Sequence, residues 1–197
     1  MSFQISVQPS GRSFTADANE TSYAWKTILE RRNNPAGIAL SRQNLPVFNR
    51  TDADATGVVY GAAKHTEKGA YVLAEAANGK PDVILIATGS EVQLAVSARL
   101  ELEAAGIATR VVSAPCVEWF DEQSAEYRES VLPASVMARV SVEAGLSLGW
   151  SKYVGGFGES VSIEHFGASA DYATLFREFG MTVENVVAAA KTSLAKI

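Results

Sequence analysis

The apolar positions change rhythm several times along this chain, and each change predicts an element. Residues 17–31, "DANETSYAWKTILER", carry Ala18, Ser22, Trp25, Ile28 and Leu29 at helical spacing, which predicts an amphipathic helix. Asp17 with Glu20 three residues on reads as a capping box at its start. "NNPAG" stops it, and "GIALSR" reads as a short buried strand. "PVFNRTDADATG" is polar and turn-rich and reads as linker; "KGAYVLAEA" reads as a short edge strand. From Asp82 the pattern is regular. "DVILIATG" predicts a strand, "EVQLAVSARLELEAAG" a helix stopped by Gly106, and "ATRVVSAP" a strand closed by Pro115. After a loop at "CVEWF", "DEQSAEYRESVL" predicts a helix and "SVMARVSVEAG" a strand. "GWSKYVGG" reads as a short helix or loop and "SVSIEHFG" as a strand. "DYATLFREFG" is helical, with Tyr172, Leu175, Phe176 and Phe179 on one face. The closing helix "TVENVVAAAKTSLAKI" is capped by Thr182, with Val183, Val186, Val187, Ala190 and Leu194 as its stripe.

Near-continuous β-branched strands alternating with helices predict an α/β fold: three α/β/α layers around a mainly parallel sheet of about five strands, preceded by a helix and strand. Within "VILI" each buried side chain contributes roughly 1.5–3 kcal/mol, so that run marks the core.

Composition narrows the function. The chain has 197 residues, 47% hydrophobic and 20% charged, near globular averages, with a net charge of −5. That balance provides no basic footprint for nucleic acid and no polybasic membrane patch. One cysteine, Cys116, precludes an internal disulfide and suits a reducing, cytoplasmic compartment. "MSFQISVQPSGRSF" has neither the charged nor the apolar region of a signal peptide, and no apolar run is long enough to span a bilayer.

The candidate chemistry is sparse. "TGSE" lies where a strand feeds a helix, a common anion site, but Gly89 stands without the further glycines of a dinucleotide fingerprint. Ser90 with Gln93 reads instead as a capping box, and Glu91 at the helix start would repel a phosphate. "HFGASADY" is a similar junction, with Ser169 and Asp171 available as caps. His65 and His165 come without a nucleophile elbow and without a ligand cluster. Cys116 reads as a small buried hydrophobe. Trp119, Trp150, Tyr153 and Phe157 serve either core packing or an interface. Arg42, in "LSRQNLP" at the end of a short strand, is suited either to fork onto a phosphate or to pair with a nearby carboxylate. Sequence physics leaves both open.

Taken together, "ADANET…AW", "LSRQNLP", "ILIATGSEVQLAV", "YRESVLP", "ARVSVEAG", "FGASA" and "LFREFGMTVENVVAAAK" resemble the carboxyl-terminal third of transketolase, in order, from about Ala16 to the end. The resemblance implies an enzyme that moves a two-carbon ketol unit between sugar phosphates. It further implies thiamine diphosphate held by a divalent metal such as magnesium, and a homodimer with active sites between subunits. By the same comparison residues 1–15 are an atypical lead and residues 16–48 the end of a pyrimidine-binding domain. Residues 49–69 are then a linker, and residues 70–197 the carboxyl-terminal domain. The family's substrate-phosphate arginine falls on Arg42. No "GDG" diphosphate motif occurs, so the resemblance implies a fragment that is inactive alone and binds no cofactor by itself. Residues 16–43, with their natural strand neighbours absent, are expected to be mobile, or to dock on another copy or along an edge of the sheet. The rival readings are a stand-alone anion-binding module, with its crevice near Gly89, Pro115 and Gly167, and the equivalent domain of a 2-oxoacid dehydrogenase or deoxyxylulose-phosphate synthase.

Overall fold

The computed structural model describes residues 11–197; residues 1–10, most of the expected lead, lie outside it. Five strands build the main sheet: β3 (Tyr71–Ala74), β4 (Val83–Ala87), β5 (Thr109–Ser113), β6 (Ala138–Val142) and β7 (Glu159–Val161). Their order is β3-β5-β4-β6-β7, parallel throughout except for β3, which runs antiparallel to β5 at one edge. The expected three-layer α/β architecture is therefore present.

Alternation along the central strands divides the core in two. Val83, Leu85 and Ala87 of β4, with Val111, Val140 and Val142, face α2 (Val92–Ala104) and α7 (Val183–Leu194). Ile84, Ile86 and Val112 face the other way, onto α3 (Val117–Asp121), α4 (Ala125–Val131) and α5 (Ser151–Val154). A strand sandwiched by helices must be apolar on both sides, which is why "VILIA" is continuous rather than alternating. Gly106, at φ 81°, closes the α2 turn as expected.

The first segment stands outside this sheet. β1 (Gly11–Phe14) and β2 (Ala36–Ala39) form a two-stranded parallel sheet joined by α1 (Ala18–Glu30). Of the alternatives expected for residues 16–43 (mobile, docked on another copy, or docked along an edge of the sheet), the edge docking is corrected: β2 pairs with β1, whose residues belong to the expected lead. Nor is β2 a buried strand, since its residues are alternately half-buried and exposed.

Three further expectations change. The expected stripe of α1 points to solvent: Trp25 is 49% and Leu29 71% exposed, while Glu20, Ala24 and Thr27 are the buried residues. "CVEWF" is not a loop, because Val117–Asp121 is helical and carries Trp119 and Phe120 into the interior. Its helix is separate from α4, which Ser124 caps by accepting from the Tyr127 N–H. Finally, α6 (Tyr172–Glu178) buries no residue fully, and Tyr172 is exposed. Trp119, Trp150 and Tyr153 are core residues; Phe157 stays exposed.

Candidate functional site

Strand order locates the natural crevice. β4 lies between β5 and β6, so the chain reverses direction across the sheet at the carboxyl end of β4, where open α/β sheets place ligands. Thr88–Glu91, Pro115, Cys116 and Glu143 converge there. The "TGSE" junction is a single 3-10 turn, Gly89–Glu91, that passes straight into α2. The expected Ser90–Gln93 box does not form. The Ser90 hydroxyl donates 2.7 Å to Oε1 of Glu91, and the Gln93 amide donates 3.0 Å to the Ser90 carbonyl. The 3-10 turn places Ser90 inside the turn rather than at the cap.

Glu91 is only 6% exposed, so the carboxyl expected to repel a phosphate at the helix start is an internal one. Burial pushes its carboxyl up to about 7; nearby Glu143 adds to the rise, and the Ser90 hydroxyl and Ala144 N–H oppose it. Glu143 is raised as well, again chiefly by burial, against a 2.5 Å hydrogen bond donated by Trp150 Nε1. β1 runs across this rim: the Phe14 N–H donates 2.8 Å to the Pro115 carbonyl, and Arg12 lies 3.9 Å from Glu118. A crevice lined by Glu91, Glu143 and Glu118 and crossed by the chain's own strand is poorly suited to a phosphate. Cys116 beside it is buried, and burial drives its thiol far above the usual range, which leaves it unreactive.

Arg42 lies elsewhere, just beyond β2, and is exposed. No carboxylate among the described residues is within salt-bridge distance of it, so the carboxylate-paired alternative is not what the structure shows. The two histidines are not brought into a catalytic constellation. His65 packs its ring edge on Tyr71, and burial, then Lys64, lowers its pKa. His165 is exposed and stacks edge-on against Phe179 with 4.6 Å between ring centroids. Asp171 caps α6 by accepting from the Thr174 N–H; Ser169 makes no cap.

A buried ionic cluster, largely missed from sequence, fastens the first segment to the sheet. Oδ1 of Asp17 caps α1 by accepting from the Glu20 N–H at 2.8 Å, and its Oδ2 accepts from Arg50 at 2.5 Å and from the Phe48 N–H at 3.2 Å. Glu20 reaches back to the Ala16 N–H at 2.7 Å and also accepts from the hydroxyls of Tyr71 (2.7 Å) and Ser113 (2.6 Å). Arg50 completes the ring by donating to the Tyr71 oxygen and the Gly61 carbonyl. Burial raises the pKa of Glu20 despite these donors, and raises Tyr71 well above its usual value. The readable signal was partial: the box Asp17–Glu20 is local, whereas Arg50, Tyr71 and Ser113 meet it only through the fold. These groups are consumed by one another, so the cluster is a fastening and not a reaction centre.

Among the described residues no three His, Cys, Asp or Glu side chains gather to hold a metal ion. The donors present therefore do not fit a metal-held diphosphate. No helix among them is long and apolar enough to cross a membrane.

Residues 69–182 match the model of the transketolase-like C-terminal domain. The chain is 55% identical over 185 residues to the transketolase of Mycobacterium tuberculosis (strain ATCC 25618 / H37Rv), covering 91% of this chain and 25% of that protein. It is 51% identical over 177 residues to the chloroplastic transketolase of Solanum tuberosum, covering 89% and 22% respectively. The solved transketolase from Leishmania mexicana superposes with a TM-score of 0.83 at 36% identity, over 94% of this chain and 25% of that one. This chain thus spans about a quarter of the length of the relatives it matches, and over that quarter the likeness extends beyond the matched domain into β2 and α1 on one side and α7 on the other. It belongs to the transketolase family, as a polypeptide corresponding to the family's C-terminal portion.

Proposed function

We propose that this polypeptide serves as the carboxyl-terminal portion of a ketol-transferring enzyme in the cytoplasm. In that enzyme thiamine diphosphate and a divalent metal supply the carbon–carbon chemistry, and sugar phosphates are the substrates. The observation that carries this reading is the 55% identity to transketolase across nearly the whole chain. The role of these residues is to build a rigid α/β body and to present Arg42 at its margin. An exposed guanidinium without an ion-pair partner among the described residues is available to fork onto a substrate phosphate, where each charged hydrogen bond contributes roughly 1.5–3 kcal/mol. The chain alone is proposed to be inactive, and the whole enzyme to work as a homodimer. Domain limits of 16–48, 49–69 and 70–197 belong to the same reading. The acidic, strand-covered crevice at the end of β4 argues against the alternative of a stand-alone anion-binding module.

A chimera tests this. Replacing the matching quarter of the Mycobacterium tuberculosis enzyme with this chain should retain ketol transfer, and loss of transfer in a folded chimera would refute the assignment. In that chimera Arg42→Ala should raise KM for a phosphorylated donor roughly 10- to 100-fold, with little effect on a donor lacking phosphate. An equal effect on both donors would remove Arg42 from the phosphate site.

A further inference from the structure

The connection from β3 to β4 is built for a reaction that needs only water. It carries Asn78 followed by Gly79, both exposed, and nowhere else in the chain does glycine follow asparagine. Asn19, Asn33, Asn44, Asn49 and Asn185 each precede a residue whose Cβ crowds its own backbone nitrogen, and Asn34 precedes proline, whose nitrogen carries no proton. Gly79 sits at φ 70°, and a Cβ added to it would meet nothing within 4 Å. The Lys80 N–H donates 2.8 Å to Asn78 Oδ1. That bond folds the side-chain amide back along the turn and places a donor where negative charge would develop if Cγ were attacked. One contact opposes attack: the Gly79 N–H donates 2.9 Å to the Ala76 carbonyl.

We propose that Asn78 is a spontaneous modification site, where the Gly79 nitrogen closes on the side-chain amide and the turn converts to aspartate and isoaspartate. The nitrogen gives its proton to solvent hydroxide and bonds to Cγ. The Cγ–Nδ2 bond breaks, and Nδ2 takes a proton from water and leaves as ammonia. Water then opens the cyclic imide. Opening at Cγ returns the ordinary backbone with a carboxylate on the side chain. Opening at the backbone carbonyl of Asn78 leaves the chain running through the side chain, one carbon longer. Nothing is oxidised or reduced. The bond to Ala76 must open first, but a single exposed hydrogen bond slows closure by no more than about tenfold. Either product adds negative charge beside Glu75, Glu103 and Asp82. The longer product also displaces Ala77, whose N–H donates 3.1 Å to Glu103 Oε1, the oxygen that accepts from the Thr109 N–H at 2.9 Å. Conversion therefore loosens the tie between this turn and the start of β5. This inference is independent of the ketol-transfer reading.

Incubation of the chain, folded and in urea, at neutral and at alkaline pH tests it, with mass spectrometry of proteolytic peptides as the readout. Asn78 should convert ahead of every other asparagine, giving both products, at a rate that rises in proportion to hydroxide. The folded chain should react no more than about tenfold slower than the unfolded one. Asn78→Gln should abolish conversion, because its longer side chain must close a larger ring, and this exposed change leaves the fold intact by circular dichroism. Gly79→Ala, compared in urea where the strain of alanine at a positive φ is absent, should slow it as well. Hydrogen exchange on the separated isoaspartate form should show lost protection at Ala77. Another asparagine converting first, a rate indifferent to hydroxide, or a folded chain protected by far more than tenfold would each overturn the modification site. Unchanged protection at Ala77 would overturn the loosening.

Discussion

Glu91 concentrates the residue-scale consequences of this fold. Its carboxyl titrates near 7 when folded against about 4.5 when unfolded. The folded state therefore holds a proton that the unfolded state has released. The stability contribution is greatest below about pH 4.5 and declines as pH rises through 7. The difference across that window is about 3 kcal/mol, by the conversion of a pKa shift to free energy. Glu91→Gln fixes the neutral form and should flatten this decline, making the variant the more stable of the two at pH 8 in urea titrations. A variant that still loses stability with the wild-type slope between pH 5 and 8 would exclude Glu91 as the cause. Sequence suggested a charge at the helix start and could not show this. Whether a carboxylate faces water or the Trp150–Glu143 wall depends on how β6 and α5 pack over the rim.

Elements were most legible where signal and burial agree. Strands β4 to β6 read plainly because both faces are covered, and Asp171 and Thr182 cap α6 and α7 from their own side chains. Capping contributes about 1 kcal/mol. Since α6 buries no residue fully, Asp171→Ala should reduce amide protection at Ala173–Leu175 markedly. Thr182→Ala should instead lower global stability, because α7 is anchored by Val186 and Ala190. Hydrogen exchange separates the two outcomes, and equal effects would show that α6 and α7 open together. The misreadings have one origin: a single chain does not reveal what each face meets. The α1 periodicity was visible, but not the polar cluster that turns it around. The helix that carries Trp119 and Phe120 packs under β1, where a Cβ on Gly11 would come within 2.0 Å of the Trp119 ring, a long-range contact that the local sequence does not reveal.

At the scale of the whole molecule, the cluster of Asp17, Glu20, Arg50, Tyr71 and Ser113 decides whether the first segment and the sheet behave as one body. Arg50 is its only cation, with Asp17 at 2.5 Å and Glu20 at 3.8 Å. Arg50→Ala would strand buried charge, a change that typically costs 3–5 kcal/mol. It should also detach α1, seen as new protease sensitivity between residues 16 and 50, ahead of any loss in the sheet. Simultaneous loss of both would mean that the two parts do not unfold separately. The fold class was legible because strand and helix rhythms are local; this fastening was not, because Glu20 and Ser113 are 93 residues apart in the chain and meet only through the fold.

The position of α7 carries a practical corollary. The family-matched stretch stops at residue 182, one residue short of this helix, whose Val186 and Ala190 close the layer over β4 and β6. Trimming the polypeptide to residues 69–182 would therefore strip a wall from the core at one end. At the other it would leave the phenol of Tyr71 and the hydroxyl of Ser113 without Glu20. The smallest piece fit for expression is set by side-chain closure, from β1 through α7, and not by the limits of sequence similarity.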